Sequence, residues 1–289
     1  MNELKNKFNE TFKTTRFTDL LKTGVEIKRA DKSTTTRVNL ITLISCIGMG
    51  VLGYIALDAI GAIIFLIITY TASFSLNFSM KKKVLLAYLK FYREKLPPVL
   101  YEGSIKIDKP SIPSSLSVLY PDTLHHWTVC YRLGEVETGF ARVMSGNSET
   151  ASGMAVIVPG KFEDGAVFKG WFPALGEKYC DSITTVGNTE GILEFATLLE
   201  TRFETFALKT SDEYAVLYIP CAQDFMTSRT EDADGLTPQS LAKQFAYFTL
   251  AEAFGDLNVD KAEKALAMFD GDYSEEDAIY RKLWEKKKK

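Results

Sequence analysis

The sequence predicts an α+β protein that is anchored in a membrane by a two-helix transmembrane hairpin near its N-terminus. Two observations lead to this fold class. Residues 38–80 contain no lysine or arginine and a single acidic residue, Asp58, whereas basic residues flank the segment on both sides. Residues 97–289, here called the head, alternate short apolar runs with turn residues and end in helical patterns, as expected of a globular domain built from a sheet and helices.

Residues 1–37 form a basic, amphipathic segment with nine Lys and Arg against five Asp and Glu. Phe8 and Phe12 are four residues apart and therefore share one face of the expected helix. Such a helix suits the anionic cytosolic surface of a membrane, with both rings in the headgroup boundary. The same pattern suits a helix that packs on the head, and the sequence leaves these two alternatives open.

The apolar segment divides into two runs, 38–57 and 59–78, separated by Asp58. Each run has about the 20 residues that an α-helix needs to cross the hydrocarbon core of a bilayer. The carboxylate of Asp58 would lie in a tight turn, where it can reach headgroup water. We therefore expect a transmembrane hairpin over residues 38–80.

Basic residues on both flanks predict the orientation of this hairpin. Arg37 precedes the first run and Lys81, Lys82 and Lys83 follow the second, while the turn has neither lysine nor arginine. Because short loops rich in these residues stay in the cytosol, both termini should be cytosolic. The three lysines begin a juxtamembrane helix over residues 81–96 and are expected to contact the membrane surface.

Cys46, Gly50 and Gly53 recur at helical spacing in the first run and give it one face of small residues. Small residues let a second helix backbone approach closely. The expected partner is the second helix of the same hairpin, and a second copy of the chain is the alternative.

The head has 19 Lys and Arg against 30 Asp and Glu, a net charge of −11. Nucleic acid is excluded as a partner because its phosphates demand a basic track, and the one dense basic cluster is the tail at residues 286–289. An acidic surface instead favours basic protein partners. Cys130, Cys180 and Cys221 are scattered, which indicates a reducing compartment without a disulfide framework.

Within the head, apolar runs bounded by turn residues predict a bent antiparallel sheet followed by helices. The expected strands cover residues 127–133, 136–144, 154–158, 166–172, 203–208 and 214–219. Helical spacing covers residues 84–96 of the juxtamembrane helix, just before the head, and then residues 190–202, 239–254, 258–269 and a last segment from residue 274 in the head. Prolines 97 and 98 should stop the first of these helices. The expected helix-capping residues are Thr237, then Asn258 or Asp260, and finally Ser274 with Asp277.

Groups that could perform catalysis or hold a metal are not brought together by the sequence pattern. His125 and His126 are adjacent and should point to opposite faces of a strand, so we expect no metal site there. The lone cysteines are expected to be small buried hydrophobes and not nucleophiles. The stretch 146–153 (GNSETASG) lacks the lysine of a phosphate-binding loop and is expected to be a plain turn, so no cofactor site is predicted. The catalytic residues of any enzyme reading therefore remain unassigned.

Several short motifs of the head resemble those of a known family. They are Phe168-Lys169-Gly170-Trp171-Phe172, Phe203-Glu204 with Phe206, Ser211-Asp212, Ala215 and Tyr218-Ile219-Pro220. This set is similar to the bacterial membrane family catalogued as domain of unknown function 3137, with motifs over about residues 165–226. The resemblance implies a helix, a two-span hairpin and a soluble C-terminal domain in the bacterial inner membrane, and it implies no reaction.

These observations favour a membrane-anchored scaffold or partner-binding component of a bacterial inner-membrane assembly, without catalysis. Its expected partners are the lipid bilayer and other proteins or further copies of the chain. A hydrolase or transferase that acts close to the membrane, through a site in the head, is the alternative. An oligomer of the hairpin that forms a pore is a weaker alternative, since both runs lack polar lining beyond Ser and Thr.

Overall fold

The structure is a computed structural model, and it describes residues 2–101, 105–108, 114–221 and 237–285. These residues fall into two compact units. One, here called the head unit, contains the described residues of Met1–Thr18 and Tyr92–Lys289, and the other, the helical unit, is Asp19–Phe91. The first helix, α1 (Asn2–Lys13), thus belongs to the same unit as the head.

The helical unit consists mainly of one long apolar helix, α2 (Thr15–Lys90). Within α2, the 42 residues of Lys32–Ser73 are long and apolar enough to cross a membrane, with a mean hydropathy of 2.5 in their most apolar stretch. Apolar side chains along it are exposed, among them Ile55 at 75%. The backbone leaves the helical conformation at Leu57 (φ −143°, ψ 24°) and Asp58 (φ 57°, ψ −151°), where the sequence predicts a turn. These features suggest a membrane anchor.

The chain leaves α2 through one turn of π-helix, Phe91–Lys95, and enters the short helix α3 (Pro97–Leu100). The helical structure that follows the apolar segment thus ends before Pro97 and Pro98, as predicted, but a further short helix begins at Pro97. Pro97 occupies the first turn of α3, where a backbone N–H has no intrahelical acceptor and its loss costs nothing. The prolines separate two helices and start the second one.

An eight-stranded sheet forms the centre of the head unit, and every neighbouring pair in it is antiparallel, as predicted. Its strand order is β1-β2-β3-β4-β8-β7-β5-β6. The strands are β1 (Ile105–Asp108), β2 (Leu124–Leu133), β3 (Val136–Ser145), β4 (Ser148–Pro159), β5 (Gly165–Gly170), β6 (Cys180–Gly187), β7 (Phe206–Thr210) and β8 (Tyr214–Pro220).

Two strands and the beginning of a third were not predicted. The edge strands β1 and β6 have short or largely exposed sequences, so they lack the apolar alternation that marks a half-buried strand. The stretch 146–153 is a turn only at Gly146 and Asn147, and from Ser148 it is already β4, paired with β3. Gly146 has a φ of +60°, a conformation that the tight turn requires and that glycine adopts without strain.

The helices of the head unit follow the capping residues in the sequence. They are α4 (Leu193–Glu200), α5 (Pro238–Gly255), α6 (Val259–Ala267) and α7 (Ser274–Glu285). Thr237 caps α5 by accepting a hydrogen bond from the Ser240 N–H, and Asn258 caps α6 by accepting one from the Lys261 N–H, so both predictions are confirmed. The cap of α7 differs, because Asp272 Oδ1 accepts the Ser274 N–H at 3.0 Å.

The middle of the sheet is buried on both faces. On one face α5 packs against β3 and β4, and on the other a turn of 3-10 helix, Ser114–Val118, packs against β2 and β8. Tyr120, Phe172 and Tyr218 are members of the apolar cluster on this second face. Burial of an aromatic side chain such as Phe172, which is fully buried, contributes about 1.5–3 kcal/mol to stability.

Candidate binding groove

Phe8, which was predicted to contact the membrane surface, lies instead in the core of the head unit. Its ring is fully buried in the head unit, with ring centroids 5.7 Å from Phe245 and 5.6 Å from Tyr273. Lys5 ties the same helix to the C-terminal helices by donating a hydrogen bond to the Asp272 carbonyl oxygen at 2.6 Å. The prediction for Phe8 is corrected accordingly: aromatic side chains of the head offer its ring a dry apolar site, so α1 follows the alternative of a helix packed on the head.

Phe12 and Lys81 were also predicted to contact the membrane surface. Their side chains lie outside the described part of the structure. Lys82 and Lys83 are exposed, and their contact with headgroups stays a prediction. The basic tail at residues 286–289 and the segment at residues 222–236 also lie outside the described residues.

The small residues of the first apolar run lie against later residues of the same helical unit. A Cβ atom added to Gly53 would come 2.5 Å from the Gly61 carbonyl oxygen, and one added to Gly50 would come 3.4 Å from the side chain of Leu66. Cys46 is half-buried. The close approach at Gly53 needs the absence of a side chain, and it is made within the chain.

The two histidines point to opposite faces of β2, as predicted. His125 is buried and its Nε2 atom lies 2.9 Å from Thr123 Oγ1, whereas His126 is exposed. Burial lowers the pKa of His125, although its contact with the Tyr120 carbonyl oxygen opposes the shift. Among the described residues, no group of three or more His, Cys, Asp and Glu lies close enough to hold a metal ion. All four cysteines are free thiols.

The described head unit contains a groove of about 730 Å³, here called the aromatic groove. It lies where the start of β4 and the end of β8 meet the segments that follow β5 and precede β7. Its lining residues are Tyr120, Glu149, Thr150, Ala151, Ser152, Trp171, Tyr179, Arg202, Phe203, Glu204, Thr205, Pro220 and Cys221. They come from six separate stretches of sequence, so no single local motif predicts the groove.

Backbone contacts hold two walls of the aromatic groove in place. On the β4–β8 side, the Cys221 N–H donates to the Ser152 carbonyl oxygen at 2.9 Å. On the opposite side, Gly170 ends β5 with a φ of +107°, and an added Cβ there would collide with the side chain of Thr205. Only glycine takes this conformation easily, and it turns the chain so that Trp171 follows at the rim of the groove.

Four of the residues that line the aromatic groove are aromatic: Tyr120, Trp171, Tyr179 and Phe203. Trp171 is 46% exposed and Tyr179 is 57% exposed, which is unusual for such large rings. Below them, Tyr120 is almost fully buried, with its ring centroid 5.7 Å from that of Phe172 and 5.8 Å from that of Tyr218. Trp171 and Tyr179 thus expose their rings in the groove, whereas Tyr120 packs against the buried rings of Phe172 and Tyr218.

The charges of the aromatic groove leave a negative excess. Arg202 is engaged by Asp270, with an N–O distance of 3.1 Å, and its guanidinium lies 5.2 Å from the ring centroid of Phe269. Glu149 faces Arg142 at 3.5 Å, with both side chains nearly half exposed. Glu204 is exposed and has no ion-pair partner in the described part of the chain. Its carboxylate is therefore available to a ligand.

Tyr218 is buried next to Tyr120, one of the residues that line the aromatic groove. Tyr218 is fully buried, and its hydroxyl has no hydrogen-bond partner among the described residues. Burial raises the pKa of Tyr218, and so do the nearby Tyr120, Cys221 and Glu149, all of which line the groove. A buried hydroxyl without a partner costs about 1–3 kcal/mol.

A smaller concavity of about 470 Å³ lies on the other side of the sheet, beside α5. In it, Tyr101 donates a hydrogen bond to Glu252, and Lys261 Nζ lies 2.8 Å from Glu252 Oε2. Burial acts to raise the pKa of Glu252, but Lys261, Tyr101 and the charge of Lys7 together hold it below its ordinary value. Burial raises the pKa of Tyr101, and the hydrogen bond to Glu252 adds to this shift. The cluster is internally satisfied and joins α3 to α5 and α6.

No family model, curated protein or solved structure matches the chain.

Proposed function

We propose that the chain is a membrane-anchored partner-binding protein whose head holds a protein partner in the aromatic groove. The observation that carries this proposal is the combination of two exposed aromatic rings, Trp171 and Tyr179, with the available carboxylate of Glu204. Tryptophan and tyrosine are enriched at the energetic centres of protein interfaces, because each contributes a large apolar area at a small cost in side-chain entropy.

The residues that carry the resemblance to domain of unknown function 3137 lie close to this groove. Trp171, Phe203, Glu204 and Pro220 line it. The motif therefore corresponds to a surface feature and not only to packing, which supports a binding role for this part of the head.

We further propose that α2 is a two-helix hairpin that crosses the bacterial inner membrane. In a straight helix, residues 16 apart in sequence are separated by about 24 Å, whereas Gly50 lies beside Leu66. The non-helical backbone at Leu57 and Asp58 is midway between them. Both observations support a reversal of the chain at Asp58.

The exposed apolar side chains of the helical unit would then face lipid, and the close approach at Gly53 would be the helix packing within the hairpin. Basic residues precede residue 38 and follow residue 80, which supports cytosolic termini and a cytosolic head. This arrangement would hold the aromatic groove at the cytosolic face of the membrane.

Gentle detergent extraction from native membranes tests the partner-binding function. We expect a stoichiometric protein partner to co-purify with the tagged wild-type chain and with Leu124→Ala, a matched control in which an exposed apolar side chain is removed away from the groove. Trp171→Ala should lose the partner while it retains normal yield and near-ultraviolet circular dichroism. Recovery of the same partner with both variants, or of no partner with the wild-type chain, would overturn the proposal.

A further inference from the structure

We infer that the partner presents an extended basic segment to the aromatic groove and places an arginine side chain between Trp171, Tyr179 and Glu204. This inference rests on the proposed function and specifies the chemistry of the partner. It follows from three features: the character of the exposed rings, the sign of the available charge, and the open edge of the sheet beside the groove.

Exposed aromatic rings next to a carboxylate form a site for a cation. The face of an indole or phenol ring carries negative potential, and arginine is the cation that most often stacks on such rings. The head unit already uses this interaction inside the chain, where Arg202 lies 5.2 Å from the ring centroid of Phe269 and Lys7 lies 6.0 Å from that of Tyr101. Trp171 has no such cation among the described residues, so its face is available to a ligand.

The charge of the aromatic groove selects a cation over an anion. Glu204 has no ion-pair partner in the described part of the chain. Glu149 lies 3.5 Å from Arg142, and both side chains are partly exposed to solvent. Among the described residues that line the groove, Arg202 is the one cation, and it forms an ion pair with Asp270. The head as a whole has a net charge of −11, which would raise the local concentration of a basic segment and speed its association.

The size and surroundings of the groove favour a peptide over a small cation. A volume of about 730 Å³ is far larger than one guanidinium or ammonium group. Tyr179 directly precedes β6, the last strand of the sheet, which pairs with β5 and with no other described strand. Its outward backbone N–H and C=O groups can pair with an extended peptide, as in recognition by strand addition.

Fluorescence anisotropy with labelled synthetic peptides tests this inference on the full chain in nonionic detergent. The probe is an eight-residue peptide that alternates arginine and threonine, and the comparison peptide has glutamate in place of each arginine. We expect saturable binding of the arginine peptide and no binding of the glutamate peptide. Raising the salt concentration from 50 to 300 mM should weaken this binding, because salt screens the attraction between exposed charges. Free arginine and choline, added as competitors, should displace it poorly because they lack an extended backbone.

Substitutions in the groove should weaken the arginine peptide selectively. Trp171→Ala and Glu204→Gln are each expected to raise Kd roughly five- to tenfold, the range of a partly desolvated cation–π contact or ion pair. Leu124→Ala and Glu194→Gln remove an exposed apolar side chain and an exposed carboxylate outside the groove, and should leave Kd unchanged.

Equal binding of the arginine and glutamate peptides, or equal Kd values for groove and control variants, would overturn the inference. The proposed function would survive that result if a native partner still co-purifies in a manner that depends on Trp171. Efficient displacement by free arginine or choline would show instead that the groove binds a small cation, which also contradicts the inference.

Discussion

Replacing Tyr218 by phenylalanine should make the head more stable, which is the reverse of the usual effect of removing a buried tyrosine hydroxyl. The substitution keeps the ring and its packing against Tyr120, at a centroid distance of 5.8 Å. It deletes a hydroxyl that is fully buried and has no hydrogen-bond partner among the described residues. The unmet desolvation cost of such a group is about 1–3 kcal/mol, and we expect a gain of about 1 kcal/mol.

Tyr273→Phe is the matched control for this substitution. Tyr273 is also buried, but its hydroxyl donates to the Met268 carbonyl oxygen at 2.9 Å. Its removal deletes a hydrogen bond and leaves the carbonyl without that donor, at a cost of about 1 kcal/mol. The two variants should therefore differ by about 2 kcal/mol in free energy of unfolding, or roughly 4–8 °C in Tm for a domain of this size.

Tryptophan fluorescence during thermal unfolding of the full chain in detergent gives this comparison. All three tryptophans, at positions 127, 171 and 284, are in the head, so the signal reports its unfolding and not that of the helical unit. A loss of stability equal to that of Tyr273→Phe would refute the argument that the hydroxyl lacks a partner.

Three further substitutions test other parts of the account. The pKa of Glu252 is held below its ordinary value, chiefly through Lys261, so the contribution of this carboxylate to stability is present above pH about 4.5 and is lost as the pH falls through its pKa in the folded state. Glu252→Gln should therefore flatten this part of a plot of the urea unfolding midpoint against pH. An unchanged slope would contradict this prediction. Gly53→Leu should lower the Tm of the helical unit, because overpacking at this close approach costs about 1–3 kcal/mol. Gly48→Leu is the control, since a side chain added at Gly48 meets open space and should leave the Tm unchanged. Circular dichroism during heating measures both, and equal effects of the two variants would contradict the packing at Gly53. In a chain without other cysteines, Asp58→Cys should react with a membrane-impermeant maleimide in intact spheroplasts, and protection until lysis would exclude a turn on the outer face.

The elements with strong local signals were predictable from the sequence. Helices α5 and α6 begin at residues whose side chains accept the first free N–H groups, and this capping depends on neighbours three residues away. Strands β2, β3 and β8 have enough apolar residues to mark them as buried. The opposite directions of His125 and His126 follow from the twofold period of a strand.

The features that depend on distant residues were not predictable. Strand β6 has a mostly exposed surface, and only its pairing with β5 makes it a strand. The amphipathic pattern of α1 fits a lipid surface or a protein surface equally well, and the position of Phe8 was decided by aromatic residues of α5 and the segment before α7. The aromatic groove escaped prediction because Trp171, Tyr179 and Glu204 meet only after the sheet has formed.

Site-specific photo-crosslinking in intact cells tests the central claim most directly, since it asks whether the aromatic groove holds a protein at the membrane. A photoreactive phenylalanine analogue would replace Trp171 or Tyr179 in turn, with replacement of Leu124 as the control for an exposed position outside the groove. The account predicts one discrete adduct, in the membrane fraction, from both groove positions and none from the control. Absence of any adduct at both groove positions, or the same adducts at all three, would contradict it.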